Sequence, residues 1–98
     1  MKTVFVDIDN TICITEDCDY SNSKPIQKRI HKINQLYEEG NEIVYWTARG
    51  AKSGIDWAKL TAKQLNLWGC KYNKLKLDKP FYDIFIDDKN INSEVYFN

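Results

Sequence analysis

The chain has no excess charge of either sign: 14 Lys and Arg stand against 14 Asp and Glu over 98 residues. That balance argues against a broad polyanion-binding surface, so neither nucleic acid nor an anionic membrane is an expected partner. Long apolar runs are also missing. Asp7 and Asp9 interrupt the N-terminal one, which excludes a signal peptide, and no stretch is long enough to span a bilayer. The three cysteines, Cys13, Cys18 and Cys70, are odd in number and lack zinc-type spacing. They are expected to be free thiols in a reducing cytosol, and the expected location is the cytoplasm. Internal repeats and low-complexity tracts are absent.

The chain does contain 43% hydrophobic and 13% aromatic residues, enough for the packed core of a single domain over residues 1–98. Thr3-Val4-Phe5-Val6 is β-branched and aromatic and reads as a buried strand ending near Asp7. Residues 12–24 are polar and rich in turn formers, hence a loop or small flap. Pro25 suits the first turn of a helix capped near Ser23 or Lys24. Ile26, Ile30, Ile33 and Tyr37 give that helix one apolar stripe, and Gly40 stops it. A second strand, Ile43-Val44-Tyr45-Trp46, ends at Thr47. A loop over 48–54 precedes a second helix from Ile55 to Trp68, with Trp57 and Trp68 as core or interface residues. Lys74 to Leu77 alternates as a short edge strand, and Asp78-Lys79-Pro80 turns the chain. Tyr82-Asp83-Ile84-Phe85-Ile86 reads as a last strand running into Asp87 and Asp88. Residues 89–98 carry no clear pattern.

This order predicts an α/β fold, a Rossmann-like, mostly parallel sheet flanked by helices. Such sheets bind ligands beyond the carboxyl ends of their strands, at the switch in strand order. Asp7, Asp9, Thr47, Asp87 and Asp88 all follow apolar strands directly, and Lys79 follows the short third one. Carboxylates gathered in one crevice repel unless a cation neutralises them, and an all-oxygen donor set suits Mg²⁺. A single Asp after a strand is ordinarily a cap or turn former; several in this order with Thr and Lys are not. Phosphoryl transfer needs such parts: an in-line nucleophile, charge neutralisation and a proton for the leaving oxygen. Arg49 is expected either to contact phosphate or to stand as an exposed loop charge. His31, in the first helix, is expected to lie away from the site. The lysines at 71, 74 and 76 read as a solvated edge.

Asp7-Ile8-Asp9-Asn10-Thr11 resembles the first motif, DxDx[TV], of the haloacid dehalogenase-like hydrolase superfamily. Thr47 is similar to its second motif, Lys79 (with Lys76 as competitor) to its third, and Asp87-Asp88 to its acidic fourth. The resemblance covers about residues 2 to 90 and rests on four motifs in order. It implies Asp7 as nucleophile and Mg²⁺ ligand, and Asp9 as general acid/base binding the metal through its carbonyl. It further implies Thr47 and Lys79 as phosphoryl-holding groups, and Asp88 as direct metal ligand with Asp87 beside it. An Asp at position 9 favours phosphatases and phosphomutases over the pumps and dehalogenases of that superfamily. Residues 12–24 and 48–54 are too few for a cap domain, so the resemblance is to capless members, which take large substrates or close their sites by oligomerising; a homo-oligomer is expected. Tyr45-Trp46-Thr47-Ala48-Arg49-Gly50 and Lys79-Pro80-Phe81-Tyr82-Asp83 also look like small bacterial members associated with capsular polysaccharide synthesis, which points to a sugar phosphate among small-molecule phosphate esters.

Other readings stand beside this one. A response-regulator receiver also gathers acids, Thr and Lys at strand ends, but in a different order. A non-catalytic metal- or phosphate-binding module on the same scaffold, a phosphotransferase and a nucleic-acid 3′-phosphatase use the same residues.

Overall fold

The structure, a computed structural model, describes all of residues 1–98. Its elements are β1 (Thr3–Val6), β2 (Cys13–Ile14), β3 (Lys24–Pro25), α1 (Gln27–Glu38), β4 (Glu42–Trp46), α2 (Ala58–Leu67), β5 (Lys74–Lys76) and α3 (Ser93–Tyr96), with one 3₁₀ turn at Tyr20–Asn22. The main sheet is parallel, in the order β1-β4-β5, with Val6 opposite Tyr45 and Tyr45 opposite Leu75. No helix is long and apolar enough to cross a membrane.

This α/β architecture matches the expected parallel sheet with flanking helices, and the strand order explains where the core sits. Two successive right-handed crossovers step the same way across the sheet, so α1 and α2 fall on one face. Strand side chains alternate, and the core accordingly joins Val6, Ile43 and Tyr45 to Ile30 and Ile33 of α1 and Leu65 of α2. Phe5 and Trp46, one residue out of phase, meet edge to face on the other side, where Phe5 stays 51% exposed.

Two boundaries differ from the sequence reading. Pro25 pairs with Cys13 in a small antiparallel ladder, so α1 begins only at Gln27. The 12–24 flap therefore has its own two-strand anchor. The second helix starts at Ala58, whose N–H is held by the Asp56 carboxylate, leaving Ile55 in the loop. Gly50 (φ +85°) explains that shape, since a Cβ there would collide with the Ile55 carbonyl. Gly40 takes φ +94° at the end of α1, as expected of its stop.

The third difference is larger. Tyr82–Ile86 forms no strand, and residues 80–92 carry no helix or sheet ladder. The chain leaves β5, passes Lys79 and runs exposed to α3, which docks on α1 through Arg29–Glu94 at 3.1 Å and Lys32 on the Tyr96 carbonyl at 2.9 Å. The three strands thus contain no reversal of order, and the expected switch point is not formed within one chain.

One buried group is unsatisfied. The Tyr45 hydroxyl is buried beside the Cys70 thiol with no hydrogen bond of ordinary geometry, while its ring packs edge to face on Tyr72. An orphaned buried hydroxyl costs its desolvation. Tyr45→Phe is therefore expected to raise unfolding stability by about 1 kcal/mol, read from urea denaturation.

The thiols give a second expectation. Burial pushes Cys70 up to about 11 from an ordinary 9.0, and burial also raises Cys13. Both groups favour the neutral form when folded, so their contribution is complete below the unfolded value and is lost as pH rises through the folded one. Stability should fall between about pH 9 and 11. At pH 8, iodoacetamide should label the exposed Cys18 quickly, the half-buried Cys70 more slowly and the buried Cys13 only on unfolding.

Candidate active site

The turn after β1 is shaped locally. Asn10 adopts φ +60°, a left-handed conformation that Asn tolerates better than most residues. Its side chain accepts the Thr15 N–H at 3.1 Å, while the Ile8 carbonyl accepts the N–H groups of Thr11 and Ile12. Ile8 and Ile12 are buried, which fixes the turn to the core and leaves Asp7 and Asp9 partly exposed beside the carboxyl end of the sheet.

Asp7 and Lys79 meet there, and Thr47 adjoins Lys79 through the backbone. The Lys79 ammonium lies 3.4 Å from Asp7 Oδ1, and Asp7 Oδ2 accepts the Thr11 hydroxyl at 3.0 Å. Lys79 is placed by its backbone, whose N–H reaches the Thr47 carbonyl at 3.3 Å, and its head lies near the rings of Trp46 and Tyr82. Thr47 is buried, and its Oγ1 accepts the Arg49 N–H at 3.2 Å, which leaves the hydroxyl proton free to donate. Lys76, by contrast, pairs with Asp78 on the exposed strand β5.

Arg49 takes neither role expected of it. Its side chain is completely enclosed. Nε and Nη2 grip the two Asp9 oxygens at 2.9 and 2.8 Å; Nη1 reaches Thr61 at 3.0 Å and Gln64 at 2.6 Å, and Nη2 also reaches Ser23 at 3.4 Å. All five N–H groups are used, so none is left for a phosphate. Arg49 is a positioning residue for Asp9. The sequence offered one hint, the placement of Thr61 and Gln64 three apart on α2, but no rule pairs them with a residue in the preceding loop.

The 12–24 flap joins the same network. Thr15 donates to Asp9 Oδ1 at 2.6 Å and shares a hydrogen bond with Ser23. Tyr20 lies over the Arg49 guanidinium at 4.7 Å, meets Trp57 edge to face and accepts Gln64 Nε2 at its carbonyl. Burial and the adjacent Cys18 push the Tyr20 phenol up to about 12, so the ring stays neutral over the cation. His31 is exposed on α1, outside the site.

Asp87 and Asp88 do not join the cluster. Both are exposed in the segment without regular structure, and nowhere in the chain do three or more acidic, His or Cys side chains gather closely enough to hold a metal ion. The Asp7 carboxylate and the Asp9 carbonyl are oxygen donors of the kind a largely hydrated Mg²⁺ takes, and with the Asp9 carboxylate gripped by Arg49 the single chain offers one free carboxylate there.

No family model matches the chain, and no curated protein does. Among solved structures, the crystal structure of a structural-genomics target from Vibrio cholerae is similar, with a TM-score of 0.89 at 24% identity over 99% of this chain and 88% of that one. The likeness extends the fold to a second protein.

Removing one partner of an enclosed ion pair strands the other. Arg49→Met should therefore cost about 3 kcal/mol in urea denaturation. Arg49→Lys should recover only part of it, because one ammonium cannot hold both Asp9 oxygens together with Thr61 and Gln64.

Proposed function

We infer that the chain is a phosphomonoester hydrolase of the haloacid dehalogenase type, acting through an aspartyl-phosphate on Asp7. The observation that carries this reading is the contact of Lys79 with Asp7, and with Thr47 through the backbone, at the carboxyl end of a parallel sheet, with Asp9 two residues on from Asp7. The four residues occupy the first three motifs of that superfamily in order.

Asp7 attacks phosphorus through one carboxylate oxygen, and the bond to the ester oxygen breaks. Thr47 donates its hydroxyl proton to a phosphoryl oxygen, and Lys79 balances the charge shared by Asp7 and the phosphoryl group. Asp9 supplies the proton to the departing alkoxide and later takes one from the water that hydrolyses the acyl-phosphate. In the resting arrangement Arg49 and Thr15 hold both Asp9 oxygens, so this step requires the carboxyl to turn out of the Arg49 fork. Asp7 and the Asp9 carbonyl would hold Mg²⁺, which would supply charge neutralisation to the reaction.

The flap is too small to be a cap domain, and the loop before α2 is short, which supports a capless form. We take the substrate to be a small phosphate ester, with sugar phosphates as the first class to try, and the site of action to be the cytoplasm. In the non-catalytic alternative, the same groups bind phosphate without releasing it from an ester.

A phosphate-ester panel with and without Mg²⁺ tests the reading. Metal-dependent phosphate release is expected from the wild type and none from Asp7→Asn, with the far-ultraviolet dichroism of the two proteins superimposable. Undiminished release by Asp7→Asn would refute the assignment.

A further inference from the structure

The segment Tyr82–Ile86 has the composition of a sheet strand and no sheet to belong to. Ile84 is 77% exposed and Ile86 93%, with Phe81, Tyr82 and Phe85 exposed beside them. A run of apolar side chains of this length facing solvent marks a contact surface.

The sheet has a matching vacancy. Its two edges are β1 and β5. β5 carries Lys74 and Lys76, the charges that blunt an edge against pairing. β1 is Thr-Val-Phe-Val with no charge. Its pairing with β4 uses the Lys2 carbonyl, which accepts the Glu42 N–H at 2.8 Å, and the Lys2 N–H also points to that side. Parallel pairing alternates along a strand, so Val4 and Val6 follow Lys2 toward β4. The N–H and C=O groups of Thr3 and Phe5 face the open edge without partners.

Within one chain the segment cannot fill that edge and also deliver its acids. Lys79 lies at the carboxyl end of the sheet beside Asp7, and only Pro80 and Phe81 separate it from Tyr82. A parallel strand beside β1 would have to start at the opposite end, and such a crossover needs about a dozen residues. Running antiparallel from Lys79, the segment would carry Asp87 and Asp88 about 17 Å down the sheet, away from Asp7.

A second copy removes the conflict. We propose that two copies exchange Tyr82–Ile86, each adding it parallel to β1 of the other and delivering Asp87 and Asp88 to the partner's Asp7. With the β1 edges facing and the two sheets antiparallel, the carboxyl end of one sheet lies beside the amino end of the other, which is where the crossing segment must begin. The two exchanged strands then meet in the middle and join both three-stranded sheets into one. Each β1 gains a neighbour on its second side, which creates the switch in strand order at Asp7 that one chain lacks. The acid count at each site rises to what a hydrated divalent cation takes. Strand exchange itself stands on exposure, edge chemistry and chain length; the role of the delivered acids rests on the phosphatase reading.

Sedimentation equilibrium should show a dimer, and Phe85→Pro, which removes a ladder N–H and introduces a ring into the strand, should give a folded monomer. Hydrogen exchange locates the strand: the Thr3 and Phe5 amides should be protected in the wild type and exchange at least tenfold faster in Phe85→Pro. A monomeric wild type, or unprotected Thr3 and Phe5 amides in a dimer, overturns the exchange whether or not the protein is a phosphatase. The delivered acids are tested by mixing. Asp7→Asn and the double variant Asp87→Asn, Asp88→Asn should each be inactive, and after dissociation and reassociation together they should recover roughly one quarter of wild-type activity, since half the dimers carry one intact site of two. No recovery from an active wild type overturns delivery in trans. If the wild type releases no phosphate, the phosphatase reading fails, and Mn²⁺ titration decides delivery: binding by the dimer that is lost in Phe85→Pro supports it, and equal binding by both overturns it.

Discussion

A guanidinium shut away from water must find a partner for each of its five N–H groups, and much of this molecule is arranged around how Arg49 does so. The partners come from three parts of the chain: Asp9 after β1, Ser23 at the end of the flap, and Thr61 with Gln64 on α2. Tyr20 closes the sixth direction with its ring. An unpaired charge here would cost several kcal/mol, so the flap, the first turn and the second helix are held in mutual register by one side chain. The local chemistry follows. Gly50 permits the loop that brings Arg49 inward, Asp56 starts α2 where Thr61 and Gln64 can reach it, and Gln64 passes the constraint on to the Tyr20 carbonyl.

The sheet imposes a second constraint that the chain does not satisfy alone. Two crossovers of the same hand place both long helices on one face, so the core is one-sided and Phe5 and Trp46 remain as an aromatic pair on the other. Three strands with one covered face are a small platform for 98 residues. The apolar residues that could extend it lie after Lys79, and the contacts of Lys79 with Thr47 and Asp7 tether that segment to the wrong end of the sheet. The same residue that contacts Asp7 and Thr47 therefore prevents the segment from folding back as a parallel strand.

These two constraints mark where sequence reasoning reaches and where it stops. The strands β1 and β4, the helix α1 and the polar residues that follow each strand were legible, because periodicity and burial are local signals. Lys79 was distinguished from Lys76 by its place in a turn, and the structure puts Lys79 on Asp7 and Lys76 on an exposed strand. The Tyr82–Ile86 pattern was read as a last strand of the chain's own sheet, and the segment forms no strand there. Composition records what a segment prefers; it does not record whether two linking residues can span a strand. Arg49 was singled out as a phosphate contact or an exposed charge, and its enclosed role beside Asp9 was missed for the opposite reason. A charged residue in a Gly-rich loop reads as solvated, and its burial depends on partners 12 and 15 residues later whose side chains carry no sign of that use.

The two acids of the first turn end in different surroundings, and the difference has a direction. Asp9 is held by a two-point guanidinium fork and a short hydroxyl bond, the strong, oriented kind of contact. Asp7 has one ordinary hydroxyl bond and a long, partly exposed contact with an ammonium that can pivot about it. In the proposed reaction the nucleophile must be able to move toward phosphorus while its charge is balanced, and a loose ammonium balances charge without fixing position. An acid/base group must be presented at one place, and a fork on a buried scaffold does fix position, at the cost of occupying the oxygens. The fold therefore spends its rigid contact on Asp9 and its adaptable one on Asp7, and the flap shares in the rigid one, touching Asp9 through Thr15 and Arg49 through Ser23.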